Sequence, residues 1–342
     1  MTSPGRPSRS SRPASGGSTA TSSSASASSL RKNDAVTGPI VILGIFVADT
    51  TYRADRLPKI GETILGHRFT LGPGGKGSNQ SVAAARAGGD VHFIARLGRD
   101  TFADLAFATW ADAGVHPAVI QVEREATGAA CIFVEEETGD NAIIVCPGAA
   151  GGITPSDIDT KTDLIRRAGV FVTQLEQPVD AAMRGLEIAR DGGAVTILNP
   201  APAATLPDAI FPLCDFVTPN ESEAELLTGV PVSDLPSARR AAEALLEKGV
   251  GAALLTLGGN GALLVTRDGE IHVPAFLAER VVETTGAGDA FNGGFAVALS
   301  EGMSGEDAVR FGCAVAGLSV TRAGAAASMP ARAEIDALLA RS

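Results

Sequence analysis

From Val170 onward the chain alternates strand-length apolar runs with helix-length periodic ones, and few folds accept that rhythm. The segments are Val170–Gln174, Ala181–Ala189, Ala194–Leu198, Phe216–Thr218, Ala238–Glu247 and Ala252–Leu257. Strands separated by helices in this way predict a parallel sheet covered by helices, an α/β architecture. Earlier, Pro39 to Gly44 reads as a buried first strand that ends in Ile45-Phe46-Val47-Ala48-Asp49. Val91 to Leu97 reads as a strand and Thr101 to Ala113 as a helix, and the final helices run Asp307–Arg322 and Arg332–Leu339. With 40 glycines, many alanines and only 4% aromatic residues, the helices are expected to pack closely on the sheet.

Two stretches break the rhythm. Ala129 to Glu135 and Asn141 to Val145 alternate around Glu136-Glu137-Thr138-Gly139-Asp140, which predicts a hairpin. Glu62 to Leu71 alternates loosely as short strands. Together they predict a small sheet apart from the main one.

The segment richest in chemistry is Glu283-Thr284-Thr285-Gly286-Ala287-Gly288-Asp289-Ala290-Phe291-Asn292-Gly293-Gly294. It follows the apolar pair Val281-Val282, and together they read as a strand, a tight glycine turn and a helix. The amides of Ala287, Gly288 and Asp289 would lie at a helix N-terminus, where free N–H groups and the macrodipole attract anions. Asp289 beside that anion site suits phosphoryl transfer: the amides stabilise the moving phosphoryl group and the carboxylate takes the proton of the attacking hydroxyl. A first-turn Asp also serves as a cap or dipole partner, so this stretch alone leaves both roles open. Its position predicts a low pKa.

Upstream stands Gly72-Pro73-Gly74-Gly75-Lys76-Gly77-Ser78-Asn79-Gln80. It is not a Walker A loop, because Gly follows Lys76. Its glycines would let a ligand lie against the backbone, and Asn79 can donate to and accept from hydroxyls. A plain turn before an alanine-rich helix is the alternative. No Gly-x-Gly-x-x-Gly follows the first strand, which sets a dehydrogenase aside.

The two motifs, in this order, resemble those of the ribokinase family of carbohydrate kinases, also called PfkB-type, and the resemblance extends over about residues 39 to 332. It implies a three-layer fold with a central, mostly parallel sheet flanked by helices and a small β-sheet lid, its strands drawn from about 50–71 and 128–146. It implies ATP-dependent phosphorylation of a pentose hydroxyl, most directly O5 of ribose, with Mg²⁺ and K⁺ as cofactors. Asp49, Gly75, Lys76, Asn79, Glu176 and Asp289 would hold the sugar. Asp289 would be the base, and the turn Gly286-Ala287-Gly288-Asp289 would form the anion hole through the amides of Ala287, Gly288 and Asp289. Asn199, Asn220, Thr256, Gly258, Gly261, Gly288 and Cys313 would face the nucleotide, and Glu223 the Mg²⁺ shell. The monovalent-cation site would draw on Glu283, Thr285, Ser319, Arg322, Gly324 and Ser328, with Glu283 standing where Asp is usual. The resemblance further implies a homodimer formed through the lid.

Several of these positions have simpler uses. Asn199 and Asn220 suit turns or caps, and Asn220 three residues before Glu223 fits a capping arrangement. Thr256 to Gly261 also fits a hairpin into Ala262–Thr266. Many family members carry Asn where this chain has Val47, which keeps a kinase for deoxyribose, fructose or a nucleoside in view. A sugar-sensing paralogue without activity is the reading from another class, and the intact Asp289, Lys76 and glycine turns argue against it.

Charge narrows the partners. The chain of 342 residues has net charge −11; Arg6, Arg9, Arg12, Arg31 and Lys32 against Asp34 give the first 37 residues +4, which leaves −15 for the rest. An acidic body argues against nucleic-acid or anionic-membrane partners. No apolar run nears the roughly twenty residues of a membrane span. Cys131, Cys146, Cys214 and Cys313 are scattered without Cys-x-x-Cys spacing and read as buried thiols in a reducing cytoplasm, not as a zinc site or disulfide framework. Residues 1–37 are rich in Ser, Ala, Gly, Arg and Pro; they read as a disordered tail, and also resemble an organellar transit peptide.

Overall fold

The computed structural model describes Met1 and residues 38–341, so the expected tail lies almost wholly outside the described residues. The chain opens with β1 (Ile40–Leu43), β2 (Val47–Ala54), β3 (Arg68–Gly74) and α1 (Lys76–Arg86). There follow β4 (Val91–Ile94), β5 (Arg96–Leu97), α2 (Thr101–Ala113), β6 (His116–Pro117), β7 (Ile120–Gln121), β8 (Thr127–Glu135) and β9 (Asn141–Gly148). Then come α3 (Pro155–Asp159), α4 (Thr162–Arg166), β10 (Val170–Thr173), α5 (Val179–Gly192), β11 (Val195–Leu198), β12 (Phe216–Val217), α6 (Glu221–Thr228) and α7 (Leu235–Glu247). The chain closes with β13 (Ala252–Thr256), β14 (Ala262–Thr266), β15 (Gly269–Val273), α8 (Ala287–Ser300), α9 (Gly305–Ser319) and α10 (Arg332–Leu339).

The main sheet has nine strands in the order β15-β14-β13-β12-β11-β10-β1-β4-β6. It is parallel from β13 to β6, and β14 and β15 add an antiparallel edge. Two cores follow from strand alternation. Ile40, Ile42, Val170 and Val172 face one side, in a cluster with Ala83, Trp110, Phe295 and Phe311. Val41, Leu43 and Phe171 face the other, in a cluster with Leu186 of α5 and Leu245 of α7. The expected helix–sheet–helix layering is therefore present. The chain leaves β1 on one side for β4 and returns on the other at β10. Such a reversal opens a crevice at the carboxyl ends of the strands, where α/β sheets bind ligands.

The small sheet runs β3-β2-β8-β9, with β8 and β9 as the expected hairpin. Four features differ from expectation, the first being that Val281-Val282, ahead of the Gly286 turn, is exposed and forms no strand. The run from Ile40 to Asp49 is not one strand: it breaks at Gly44-Ile45-Phe46, and β2 belongs to the small sheet. Residues 62–67 are not strand, because the segment is exposed on both sides and is held as a loop by Arg56, which pairs with Glu62 at 2.5 Å. The run Val91–Leu97 is split, its last two residues pairing with β7 in a separate ribbon.

Candidate active site

The cleft is built where β1, β10, β11, β12 and β13 end. Gly75 caps α1 with φ 90°, and a Cβ there would lie 2.5 Å from the Ile45 carbonyl oxygen, so only glycine fits. This brings the start of α1 against the turn after β1. The Lys76 amide then donates to Glu176 Oε2 at 2.7 Å, which joins α1 to the segment after β10. Asp49, on β2, projects over the same ground: a Cβ on Gly74 would lie 2.3 Å from Asp49 Oδ2.

The second motif arrives from the C-terminal half. Gly286 caps α8 with φ 79° and no side chain closes that end. Space around Gly288 is open, with nothing within 4 Å of a Cβ built there. Asp289, in the first turn, is buried and accepts from Asn79 Nδ2 at 3.0 Å and from Gln80 Nε2 at 3.1 Å. The two motifs thus share one cleft. Asn79 Oδ1 is buried and lacks a hydrogen-bond partner, an unmet acceptor that a ligand hydroxyl would satisfy.

Electrostatics tie the group together. Burial pushes the Asp49 carboxyl up to about 6. Burial also pushes Glu176 up to about 7, against the pull of the Lys76 amide and ammonium, while the charges of Asp289 and Asp49 push the same way as burial. Glu223 is raised, first by burial, and feels both Lys76 and Asp289. Asp289 itself is raised, not lowered as its helix position alone predicts: loss of water outweighs Lys76, Asn79 and Gln80. A buried carboxylate that resists ionisation is the stronger base for it. Lys76 is the cation common to Glu176, Glu223 and Asp289.

The remaining candidates sort by place. Asn199 follows β11; its Oδ1 accepts from Gln80 and its Nδ2 donates to the Thr218 carbonyl at 3.0 Å, which puts it beside Asp289. Asn220 caps α6 in a reciprocal capping box with Glu223, so the capping use is real. Asn220 also bridges Thr256 at the end of β13. Gly258 and Gly261 shape the turn from β13 into β14, which is the hairpin alternative, and the space around Gly258 is open. Cys313 is buried in the α9 core, and burial pushes its thiol up to about 12.

Glu283 and Gly324 meet ahead of α8, and Ser319 and Ser328 flank that meeting point in the chain, next to Val320 and close to Ala325. Glu283 Oε2 accepts from the Gly324 amide at 2.8 Å, and the amides of Val282 and Glu283 donate to the Val320 carbonyl. Ser319 and Ser328 each spend the hydroxyl on a nearby carbonyl, and Arg322 pairs with Glu334. Thr285 is exposed between Glu283 and the cap. Among the described residues no group of three His, Cys, Asp or Glu is gathered to hold a metal ion.

Sequence reasoning passed over Gln80, Gln174 and Asn292. Asn292 Oδ1 accepts from the Thr218 hydroxyl at 2.7 Å, fixing α8 to the end of β12. Each lies within or beside a quoted motif, so proximity to Asn79, Glu176 and Asp289 was the available signal.

With this geometry in hand, the chain is found to match the pfkB family carbohydrate kinases over residues 39–332. It is 38% identical to a ribokinase of Haemophilus influenzae over 296 residues, covering 86% of this chain and 96% of that one. It is 36% identical to a deoxyribokinase of Salmonella typhi, covering 85% and 95% of the two chains. The structure resembles that of Arabidopsis thaliana ribokinase complexed with ribose and ATP, with TM-score 0.85 and 34% identity over 89% of this chain and 99% of that one.

Proposed function

The chain belongs to the pfkB family of carbohydrate kinases, and from that premise we propose that it transfers the terminal phosphoryl group of ATP to O5 of ribose, giving ribose 5-phosphate. The observation that carries this reading is the Asn79–Asp289 contact, which joins a hydroxyl-binding loop to an amide-lined phosphate site. Asp49, Asn79 and Glu176 hold sugar hydroxyls, with the glycine backbone of Gly74-Gly75 beneath. Lys76 balances the carboxylates. Asp289 takes the O5 proton as the new O–P bond forms and the bond from that phosphorus to the oxygen of ADP breaks. The amides of Ala287, Gly288 and Asp289 meet the charge spread over the moving phosphoryl oxygens, each donor worth roughly 3 kcal/mol. General-base help is worth about 10²–10⁴ in rate.

Asn199, Asn220, Thr256, Gly258 and Gly261 line the nucleotide side. Asn220 and Glu223 suit a hydrated Mg²⁺ carried on the nucleotide phosphates, where it would neutralise their charge. Glu223 fits that duty as a buried carboxylate set near Lys76 and Asp289. Glu283 and the turn from Ser319 to Ser328 suit a K⁺ ion that steadies the cap of α8.

The outer face of the small sheet supports a homodimer. Alternation turns Tyr52, Phe69, Leu71 and Ile144 away from Asp49, and they are 46%, 56%, 46% and 67% exposed. Such a patch marks an interaction surface. Cys214 and Cys313 are buried as expected, whereas Cys131 and Cys146 are exposed because they lie on the small sheet; four free thiols suit a reducing cytoplasm.

Val47 favours one second reading. It lies on the same face of β2 as Asp49 and is buried with Ile45 and Ala150, so it offers a ligand no hydrogen bond. An apolar wall there suits 2-deoxyribose, which has one hydroxyl fewer. The test is a panel of ribose, 2-deoxyribose, fructose and nucleosides with ATP, read by mass spectrometry of the phosphorylated product. Ribose 5-phosphate as the main product is expected; no phosphorylated product from any acceptor would refute the reading.

A further inference from the structure

Beneath Asp289 runs a chain of buried amides whose direction is fixed. Gln80 Nε2 donates to Asp289 Oδ1 and to Asn199 Oδ1, each at 3.1 Å. A carboxylate only accepts, so Gln80 must turn its amino group toward Asp289 and its carbonyl oxygen away. That Oε1 accepts from Gln174 Nε2. At the far end, Asn199 Nδ2 donates to the Thr218 carbonyl. Both ends are acceptors, so each amide between them has a single orientation.

Nor can the chain shift sideways. Gln80 and Gln174 are fully buried. A Cβ on Gly44 would lie 2.5 Å from Gln174 Oε1, and one on Gly77 2.9 Å, so Gln174 fills space left by two missing side chains. Gln80 is thereby held from one side by Gln174 and engages Asp289 and Asn199 from the other.

We infer that Gln80 is a positioning residue for phosphoryl transfer: it occupies Oδ1 of Asp289, leaves Oδ2 beside Asn79 to receive the sugar proton, and ties that carboxylate to Asn199 on the nucleotide side. The inference rests on Asp289 being the base. The geometry gives Asp289 two unequal oxygens. Oδ1 meets a donor whose orientation the protein dictates; Oδ2 meets Asn79, whose own acceptor is still unmet. Gln80 also favours the charged carboxylate that burial disfavours.

The test is Gln80→Met, which keeps side-chain length and removes both donors. The phosphoryl-transfer rate, measured in single turnover, should fall about ten- to hundredfold, the effect of losing a hydrogen bond to a charged group. The KM for sugar should change less than about threefold, because Gln80 supports the transition state and not sugar binding. The acid limb of the pH–rate profile should move up by about one unit, since the ionised carboxylate loses a donor. A purely structural role would leave that limb in place; an unmoved limb therefore overturns the inference, whatever the rate. If Gln80→Met does not fold, Gln174→Met decides by the same limb, since it keeps the donors of Gln80 but removes the contact that holds its carbonyl oxygen in place. Asp289→Asn is measured alongside. If Asp289→Asn retains turnover, the base assignment fails; if it is inactive and the Gln80→Met limb is unmoved, only the role of Gln80 fails.

Discussion

Asn79 and Asp289 stand 210 residues apart in the chain, and the Nδ2 of one donates to the Oδ2 of the other at 3.0 Å in a buried setting. Asp289→Asn should leave this part of the fold in place and lower turnover by about 10²–10⁴, the usual worth of a general base. Sugar affinity, measured by calorimetry, should change little. Wild-type turnover in that variant would remove Asp289 from the chemistry.

Stability should depend on pH through Glu176. Its pKa rises from 4.5 to about 7 on folding, because burial penalises the charge. A raised carboxyl pKa gives stability that is complete below about 4.5 and is lost as pH rises through about 7. The loss amounts to at most about 1.4 kcal/mol per pH unit for one group. Asp49, raised to about 6, acts in the same direction. Glu176→Gln should therefore show a smaller fall in Tm between pH 5 and pH 8 than the parent; parallel Tm curves would contradict this.

Gly293 is where α8 touches α1. A Cβ there would lie 2.6 Å from the Ala83 Cβ and 2.7 Å from the Gln80 carbonyl oxygen. Gly293→Ala must push the helices apart, at a cost of about 1–3 kcal/mol. Because α1 carries Asn79 and α8 carries Asp289, turnover should fall together with Tm. Denaturant titration and initial rates on the same preparation check both.

The outer sheet face supplies a prediction about assembly. Tyr52 and Phe69 lie with ring centroids 5.2 Å apart on the exposed side. Phe69→Glu should convert a dimer to monomer in sedimentation velocity. A parent chain that is already monomeric at high concentration would refute dimerisation through this face.

Potassium should raise the rate over choline at equal ionic strength, and Glu283→Gln should abolish the difference. Equal rates in both salts for the parent would discard the cation site.

Much of this site could be read from residue order. Gly75, Lys76 and Asn79 and the Gly286–Asp289 turn lie in compact motifs, and the helix after each is recognisable from its small or apolar residues. What stayed hidden was long-range. Ile40 to Asp49 is continuously apolar until its end, so nothing local marks Gly44 to Phe46 as the place where the chain changes sheets. Helix position alone gives the wrong direction for the Asp289 pKa shift, because it is a local property, while burial depends on every element around the carboxyl. Gln80 and Gln174 carry no motif of their own; their role exists only because α1, β10 and α8 converge.

The small sheet is joined to the body very tightly at two points: three residues separate β1 from β2, and only Gly75 separates β3 from α1. Asp49 lies in β2 just past the first of these connections, and Lys76 opens α1 just past the second. Grafting this cover from one relative onto another would carry Asp49 with it, and would leave Lys76, Asn79, Glu176 and Asp289 behind with the body. The part of acceptor choice that rests on Val47 and Asp49 could thus be inherited apart from the phosphate chemistry, along the line where the two sheets part.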